Sequence, residues 1–374
     1  MADAGSIESE TISILAIDVG TGTQDILLYK SGRVIENCEK MVMPSKTMIV
    51  EGEIDRATAT GHDIVLTGST MGGGPCVRAI RRHLNAGFNV YAIPAAAKTI
   101  HDDLTKVEGM GVRIVCEDAC VDAVEVLMHD VDILSIGHAL SMFDVVVPQH
   151  IAVAVQDHGE STKGNRICRF RHLKKAIDAG GDISAFTYQA GEIPAYLTRM
   201  QAVASDLAEY DVMLMDTGAA AIFGAMLDAE VAKDQSYKSL QSSQRSHIVV
   251  NIGNGHTLGA IVEDGCIKGC FEHHTSSMTG KKIMDYVNRM IDGTLGFDDV
   301  YNDGGHGCYI KDVPFELPKI VVTGPRRAMM NDYINGDSGA DDSDTNANIH
   351  FAAPYGDMML TGCFGLLRGF GVDI

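Results

Sequence analysis

The sequence predicts an α/β protein assembled from two related halves, and three observations carry that expectation. The stretch I17-D-V-G-T-G-T-Q-D-I-L-L-Y29 has a counterpart in V250-N-I-G-N-G-H-T-L-G-A-I-V262. Asp18 falls on Asn251, Gly20 on Gly253 and Gly22 on Gly255, each displaced by 251 − 18 = 233 positions. The same displacement carries Gly32 onto Gly265, so the match extends past a second turn. Between the copies, short β-branched runs alternate with helix-forming segments, the pattern of strands joined by helical crossovers.

Taken in order, each copy begins with an apolar β-branched run, I12-S-I-L-A-I17 and I248-V-V-N-I252, and ends it in a glycine turn. More β-rich sequence follows, not a helix. Residues 26–29 lead into Ser31-Gly32 and residues 258–262 into Asp264-Gly265, each a two-residue hairpin signal. Third strands are expected at R33-V-I-E-N-C38 and C266-I-K-G-C-F271. A second echo sets I64-V-L-T-G68 beside I320-V-V-T-G324, each read as a strand ending in Thr-Gly before a helix whose first turn accepts Pro75 or Pro325. The intervening region predicts a helix over 75–85, strands over 89–93, 112–115 and 151–156, and a strand-turn-helix over 211–226.

A chain of 374 residues suits two domains or one duplicated pair. Apolar residues make up 45% and are spread throughout, with no run long enough to cross a membrane. The opening M-A-D-A-G-S-I-E-S-E has neither the basic start nor the apolar core of a secretory signal, so a cytoplasmic location is expected, with most of the nine cysteines as reduced thiols. A net charge of −20 argues against nucleic acid and anionic lipid surfaces as partners. The tract N335-G-D-S-G-A-D-D-S-D-T-N-A-N348 is expected as a polar surface loop.

Glycine turns let backbone N–H groups converge on an anion where side chains would collide. Two such turns facing each other could grip a polyphosphate, with hydroxyls of Thr21, Thr23 and Thr257 as donors and Asp18 placed for Mg²⁺. Other nucleotide motifs fit poorly. G20-T-G-T-Q-D25 lacks a third glycine and leads into a strand, and G68-S-T-M-G-G-G-P75 has no G-K-[ST]. The run G72-G-G74 reads either as a tight strand-to-helix turn or as a substrate-anion site.

The paired turns on hairpins, with a later strand ending T323-G-P-R-R327, resemble the superfamily of actin, sugar kinases, acetate kinase and DnaK-type chaperones over the whole chain. More narrowly, V155-Q-D-H-G159, M215-D-T-G218, F271-E-H-H-T275 and G356-D-M-M-L-T-G362 resemble a largely archaeal family labelled "putative pyruvate formate-lyase activating enzyme". The resemblance implies two ribonuclease-H-like, actin-like lobes from a tandem duplication with a nucleotide cleft between them. They would be 1–245, with an inserted α/β acceptor-binding region, and 246–374. It further implies ATP and Mg²⁺ held by Asp18, Gly20, Thr21, Gly22 and Thr23 from one side and by Gly253, Asn254, Gly255, His256 and Thr257 from the other, with adenosine near Thr323, Gly324, Pro325 and Arg326. Several hydrolysing relatives carry Asp where this chain has Asn251, and an amide cannot act as a base.

Four polar clusters follow strands aimed at that cleft. Asp157 reads as a general base with His158 as proton partner, or as an Asx-turn. Asp216 reads as a Mg²⁺ ligand or base, or as a helix cap. Glu272 and His274 share one strand face while His273 points away, so Glu272 and His274 read as catalytic groups meeting one ligand, or as satisfied structural groups. Of Arg326 and Arg327, one is expected on base or phosphate and the other in a surface pair. The basic run K163-G-N-R-I-C-R-F-R-H-L-K-K175 reads as a solvated helix face with Ile167, Phe170 and Leu173 inward, or as a receiver of an anionic substrate or acidic partner. Gly356-Asp357 reads as a plain turn or a closure of the nucleotide side. Neither Cys116/Cys120 nor Cys266/Cys270 completes the C-x₃-C-x₂-C of a radical-SAM activase. Two functions therefore stand as expectations: an ATP- and Mg²⁺-dependent phosphotransferase or ATPase acting on a small-molecule acceptor, and a nucleotide-controlled activator of a partner enzyme. A homodimer is compatible with either.

Overall fold

The computed structural model describes residues 12–161, 164–236, 246–314, 316–335 and 348–374. Most of the acidic tract, 336–347, lies outside the described residues, as does Lys163.

The chain opens with an antiparallel meander, β1 (Ser13–Val19), β2 (Thr23–Lys30) and β3 (Glu39–Pro44). In β1, Ile14, Leu15, Ala16 and Ile17 are all fully buried, because the strand is central and covered on both faces. The expected third strand at 33–38 is instead a 3₁₀ turn over Ile35–Asn37, and β3 starts after it. Ile35 drops into the core from this turn while its neighbour Val34 stays exposed, so anchoring Ile35 displaces the strand towards the C-terminus.

The chain then leaves the first sheet for an inserted α/β unit, α1 (Lys46–Thr60), β4 (Ile64–Gly68), α2 (Pro75–Asn85), β5 (Val90–Ala92), α3 (Pro94–Ala97), α4 (Leu104–Gly109), β6 (Val112–Ile114) and β7 (Val124–Met128), and returns to the first sheet with α5 (Ile133–Ser141). Its four strands form a parallel sheet of order β6-β5-β4-β7 with a separate core containing Val50, Ile54, Leu66, Ile80, Val90 and Val126. This overturns the second echo. β4 belongs to the insertion, so 64–68 and 320–324 are not equivalent strands. A buried strand ending in Thr-Gly is a generic solution to leaving a sheet, and here it arose twice in different places.

The first sheet is completed by β8 (His150–Val155), α6 (Asn165–Asp178), β9 (Thr187–Gln189), α7 (Thr198–Asp206) and β10 (Asp211–Asp216), giving the order β3-β2-β1-β8-β10-β9. Helices α8 (Thr217–Ala225) and α9 (Ala229–Ser236) follow. The second half supplies β11 (Ser246–Ile252), β12 (His256–Glu263), β13 (Cys266–His274), α10 (Gly280–Ile291), α11 (Phe297–Asn302), β14 (Gly307–Ile310), β15 (Lys319–Thr323), α12 (Met329–Asn335), β16 (Ile349–Phe351) and α13 (Thr361–Gly369). Its sheet runs β14-β13-β12-β11-β15-β16. Pro325 lies in turn residues 325–328, and the helix begins only at Met329.

The two sheets repeat each other in register. Ser13 pairs with Lys30, and Ser246 with Glu263; Ile14 pairs in parallel with His150, and His247 with Lys319. The true counterpart of β15 is therefore β8. The Asp264-Gly265 hairpin has positive φ at both residues, 50° and 72°, as a two-residue turn matched to strand twist requires.

Helices α8 and α13 pack against each other between the two sheets, and a shared core joins Ile14, Ala16 and Leu27 of the first half to Val249, Leu258 and Val321 of the second. The last helix crosses back onto β1, β2 and β8, so residues after 360 cover the first sheet. At the crossing, a Cβ on Gly224 would be driven into the Thr361 carbonyl and one on Gly365 into that of Ala220. The outer faces are covered separately, by α5 and α7 on the first sheet and by α10 and α12 on the second. Among the described residues, no helix is long and apolar enough to cross a membrane.

Candidate active site

The two glycine turns are closed by the same hydrogen bond. Gly20 N donates to Thr23 O at 2.9 Å and Gly253 N donates to His256 O at 2.9 Å. Their tips meet: a Cβ on Gly255 would stand 2.6 Å from Thr21 Oγ1, and one on Gly22 would stand 2.8 Å from Asn254 Nδ2. A third turn joins them, since Thr47 Oγ1 donates to Gly73 O at 2.5 Å and Ser45 Oγ donates to Thr21 O at 2.9 Å. These turns border a cavity of about 620 Å³ between the lobes and the insertion.

Of the residues expected to bind nucleotide, Gly20, Thr21, Gly253, Asn254, Gly255 and His256 line this cavity. Asp18, Gly22, Thr23 and Thr257 do not; Thr257 is fully buried, with its hydroxyl 3.0 Å from that of Thr275. Thr323, Gly324, Pro325 and Arg326 also lie outside the lining. Thr323 is buried, Gly324 packs on Asn251 and Ile252, and Pro325 and Arg326 are exposed.

The carboxylates of the site are largely committed. Asp157 is buried and accepts from Gly159 N at 2.8 Å and from Met200 N at 2.9 Å, so it closes an Asx-type turn and ties it to the start of α7. Burial raises its pKa. Asp216 caps α8 by accepting from Gly218 N (3.0 Å) and Ala219 N (3.3 Å), and both of its oxygens also meet Arg169. Helix capping and the ion pair with Arg169 are thus what the structure shows for Asp216. Glu272 accepts from Arg169 Nε (3.0 Å), Arg169 Nη2 (2.8 Å) and Gln156 Nε2 (2.9 Å). Burial alone would raise the Glu272 pKa, but the Arg169 charge outweighs it and holds the carboxyl well below its ordinary range.

Arg169 was not legible as a site residue. It sits in the basic run, yet it is only 1% exposed, with Phe170, His172 and Leu173 also inward. Arg166 of the same helix lies over the Tyr301 ring. A second unforeseen clamp is Arg199, which donates to both oxygens of Asp130 at 2.7 and 2.8 Å and to Gln156 O at 2.7 Å. Asp130 in turn accepts from Gly72 N at 3.0 Å, fastening the insertion's glycine turn to the first lobe.

Asp18 accepts from Thr217 Oγ1 at 2.6 Å and pairs across the hairpin with Asp25. Burial pushes the Asp18 pKa up to about 6; burial and then the Asp18 charge push Asp25 to about 8. Asp25 Oδ1 is buried with no hydrogen-bond partner. Two carboxylates so placed, one with an orphaned oxygen, suit a hard divalent cation.

Four imidazoles gather on the cavity side of β13. His274 faces the cavity with Glu272, while His273 turns away to Asp303 Oδ2 at 3.0 Å, as strand alternation requires. His256 and His158 come from the second glycine turn and from the loop after β8. His306 precedes β14, within the run G304-G-H-G-C308, which carried no recognisable motif. Their ring centroids are 4.9–5.5 Å from their neighbours. Burial lowers all four pKa values, to about 4 for His256 and about 3 for His306, so the rings are neutral near pH 7. All nine cysteines are free, and none belongs to a convergent group of three metal-ligating side chains among the described residues.

Two duplicated sheets, helices shared between them and facing glycine turns define an actin-like two-lobed fold. Within it, the chain belongs to the family described as "Putative pyruvate format-lyase activating enzyme (DUF1786)", whose profile matches residues 71–329. No curated protein matches the sequence. Among solved structures, it is similar to the ethanolamine utilization protein EutJ of Carboxydothermus hydrogenoformans (10% identity, 96% of this chain and 90% of that one, TM-score 0.33). Others are a "putative sugar kinase" from Cytophaga hutchinsonii (12%, 96% and 100%, 0.32) and MreB5 of Spiroplasma citri bound to ADP (11%, 94% and 94%, 0.31). The fold assignment rests on strand order and register in this chain.

Proposed function

We propose that the cleft binds ATP with Mg²⁺ and directs its terminal phosphoryl group to a small acceptor or to water. The observation that carries this reading is the pair of identically closed glycine turns, one from each lobe, meeting at the edge of a cavity large enough for a nucleotide's phosphates and an acceptor. Backbone amides of the 20–23 and 253–256 turns would hold the phosphates. Asp18 and Asp25 would hold Mg²⁺, which neutralises phosphate charge and orients the transferring group when bound. Arg78 and Lys98, on the insertion's side of the cavity, suit an anionic acceptor. Because Asp157, Asp216 and Glu272 are tied up in hydrogen bonds and ion pairs, the proton-accepting lone pairs of the site lie on the imidazoles. Calorimetry with Mg-ATP, followed by ATP-consumption assays against a metabolite panel, tests the proposal. Heat from Mg-ATP binding together with acceptor-stimulated turnover supports it, and absence of binding overturns it.

A second reading, a nucleotide-controlled activator of a partner enzyme, is favoured by one surface. Leu134, Met142, Phe143 and Val146, on and just after α5, are each 72–83% exposed. Exposed large apolar side chains mark contact sites where they are contiguous. Partner retention in one nucleotide state, lost on Phe143→Asp, would support this reading; a purified enzyme active on a metabolite alone would count against it.

A further inference from the structure

We propose that His158, His256 and His306 form a binding site for a divalent first-row transition metal of the zinc class, distinct from the carboxylate pair at Asp18 and Asp25. One ligand atom from each ring lies within 4.8 Å of the others, and His158 Nε2 is 3.1 Å from His306 Nε2. In a tetrahedral site with bonds of about 2.0–2.1 Å, neighbouring nitrogens are about 3.3 Å apart. One edge is therefore already set, and the widest separation closes by a side-chain rotation of about 1.5 Å or less.

Three further features suit a metal. His306 Nδ1 stands 3.7 Å from Glu272 Oε2, so a metal on Nε2 leaves the other ring nitrogen directed at a carboxylate, the arrangement that fixes tautomer and orientation in metal-bound histidines. Glu272 is itself held rigidly by Arg169 and Gln156. His256 Nε2 is buried without a hydrogen-bond partner, an unfavourable state for a polar atom in a protein interior, and a bound cation would satisfy it. Finally, the donors are all imidazoles, which favour borderline ions over magnesium or calcium.

Three protein ligands leave at least one coordination position open. Because His158 and His256 line the cavity, that position would hold water or an oxygen of whatever occupies the space between the turns. His274, whose ring centroid is 4.9 Å from those of both His256 and His306, is the neighbour placed to accept a proton from such a ligand. The three ligands come from both lobes, two of them from the second, so the metal would bridge the cleft.

The test uses full-length protein stripped with chelator, without nucleotide, so that it stands apart from the ATP reading. Zn²⁺ is titrated calorimetrically, and Co²⁺ serves as an absorption probe of nitrogen coordination. One ion per chain is expected, with cobalt bands of low-symmetry, imidazole-bound metal. His158→Gln and His306→Gln should each weaken binding at least 100-fold, whereas His150→Gln, at a half-exposed site elsewhere, should leave it unchanged. Circular dichroism checks that each variant is folded, and should His306→Gln fail to fold, His158→Gln alone decides. Absence of stoichiometric binding overturns the proposal, as does Zn²⁺ affinity retained in a folded His158→Gln protein.

Discussion

Arg169 and Glu272 meet through two hydrogen bonds, Nε to Oε2 at 3.0 Å and Nη2 to Oε1 at 2.8 Å, and so join α6 to β13 beneath the cavity floor. The same guanidinium holds Asp216, and all three side chains are almost completely buried. Removing one partner of such a set strands the remaining charges in a low-dielectric interior, at a cost of about 3–5 kcal/mol. Arg169→Leu is therefore expected to lose stability on that scale in urea unfolding. The Glu272 carboxyl is depressed from 4.5, so its contribution is fully present above about pH 4.5 and fades as the pH falls further. Glu272→Gln should remove that acid-limb loss while costing less at pH 7, because the amide still accepts from Arg169.

The carboxylate pair predicts the opposite pH dependence. Asp25 is raised from 3.8 to about 8 and Asp18 to about 6, so the folded chain retains protons that the unfolded chain releases. Stability should fall by on the order of a few kcal/mol as the pH rises from about 4 to 8. Asp25→Asn should flatten this limb and raise the melting temperature at pH 8 but not at pH 4. Mg²⁺ should stabilise the wild type more at pH 8 than at pH 5. Equal melting-temperature gains at both values would argue against a cation between these residues.

The duplicated sheets were readable because period and spacing are local properties. The turn at 18–23 and its counterpart 233 residues later fix two hairpins whose register repeats residue for residue. Pairing that depends on tertiary position was not readable. Nothing in I64-V-L-T-G68 says that its neighbours are β5 and β7 and not β1, and the displaced β3 depends on where Ile35 finds its pocket. The site followed the same rule. Turn residues were visible, whereas Arg169 was concealed in a charged run and His306 in a glycine-rich loop, since each acquires its role from partners more than 30 residues away.

The crossing of α8 and α13 makes a steric prediction. Gly224 and Gly365 each face a carbonyl of the opposite helix, and backbone cannot yield as a side-chain tip can. Overpacking in a core usually costs 1–3 kcal/mol. Gly224→Ala and Gly365→Ala should each destabilise by about 3 kcal/mol, at or above the top of that range, even though alanine favours helices. Gly191→Ala, with open space around its Cβ position, is the control and should change the unfolding midpoint little.

The apposed turn tips yield the sharpest test of the nucleotide reading. A methyl on Gly255 meets Thr21 Oγ1 at 2.6 Å, so Gly255→Ala pushes the two turns apart without disturbing either core. If phosphates are gripped between them, Mg-ATP affinity should fall about tenfold, or roughly 1.4 kcal/mol, with little change in melting temperature. Thr21→Ala removes the obstructing hydroxyl but also a donor, and alone should weaken binding modestly. Combined with Gly255→Ala it lets the turns close again, so the double variant should bind better than the sum of the single effects predicts, with a coupling of about 1 kcal/mol. Strict additivity would mean that the closeness of Thr21 and Gly255 has no part in holding the ligand, and that the grip between the lobes lies elsewhere in the cleft.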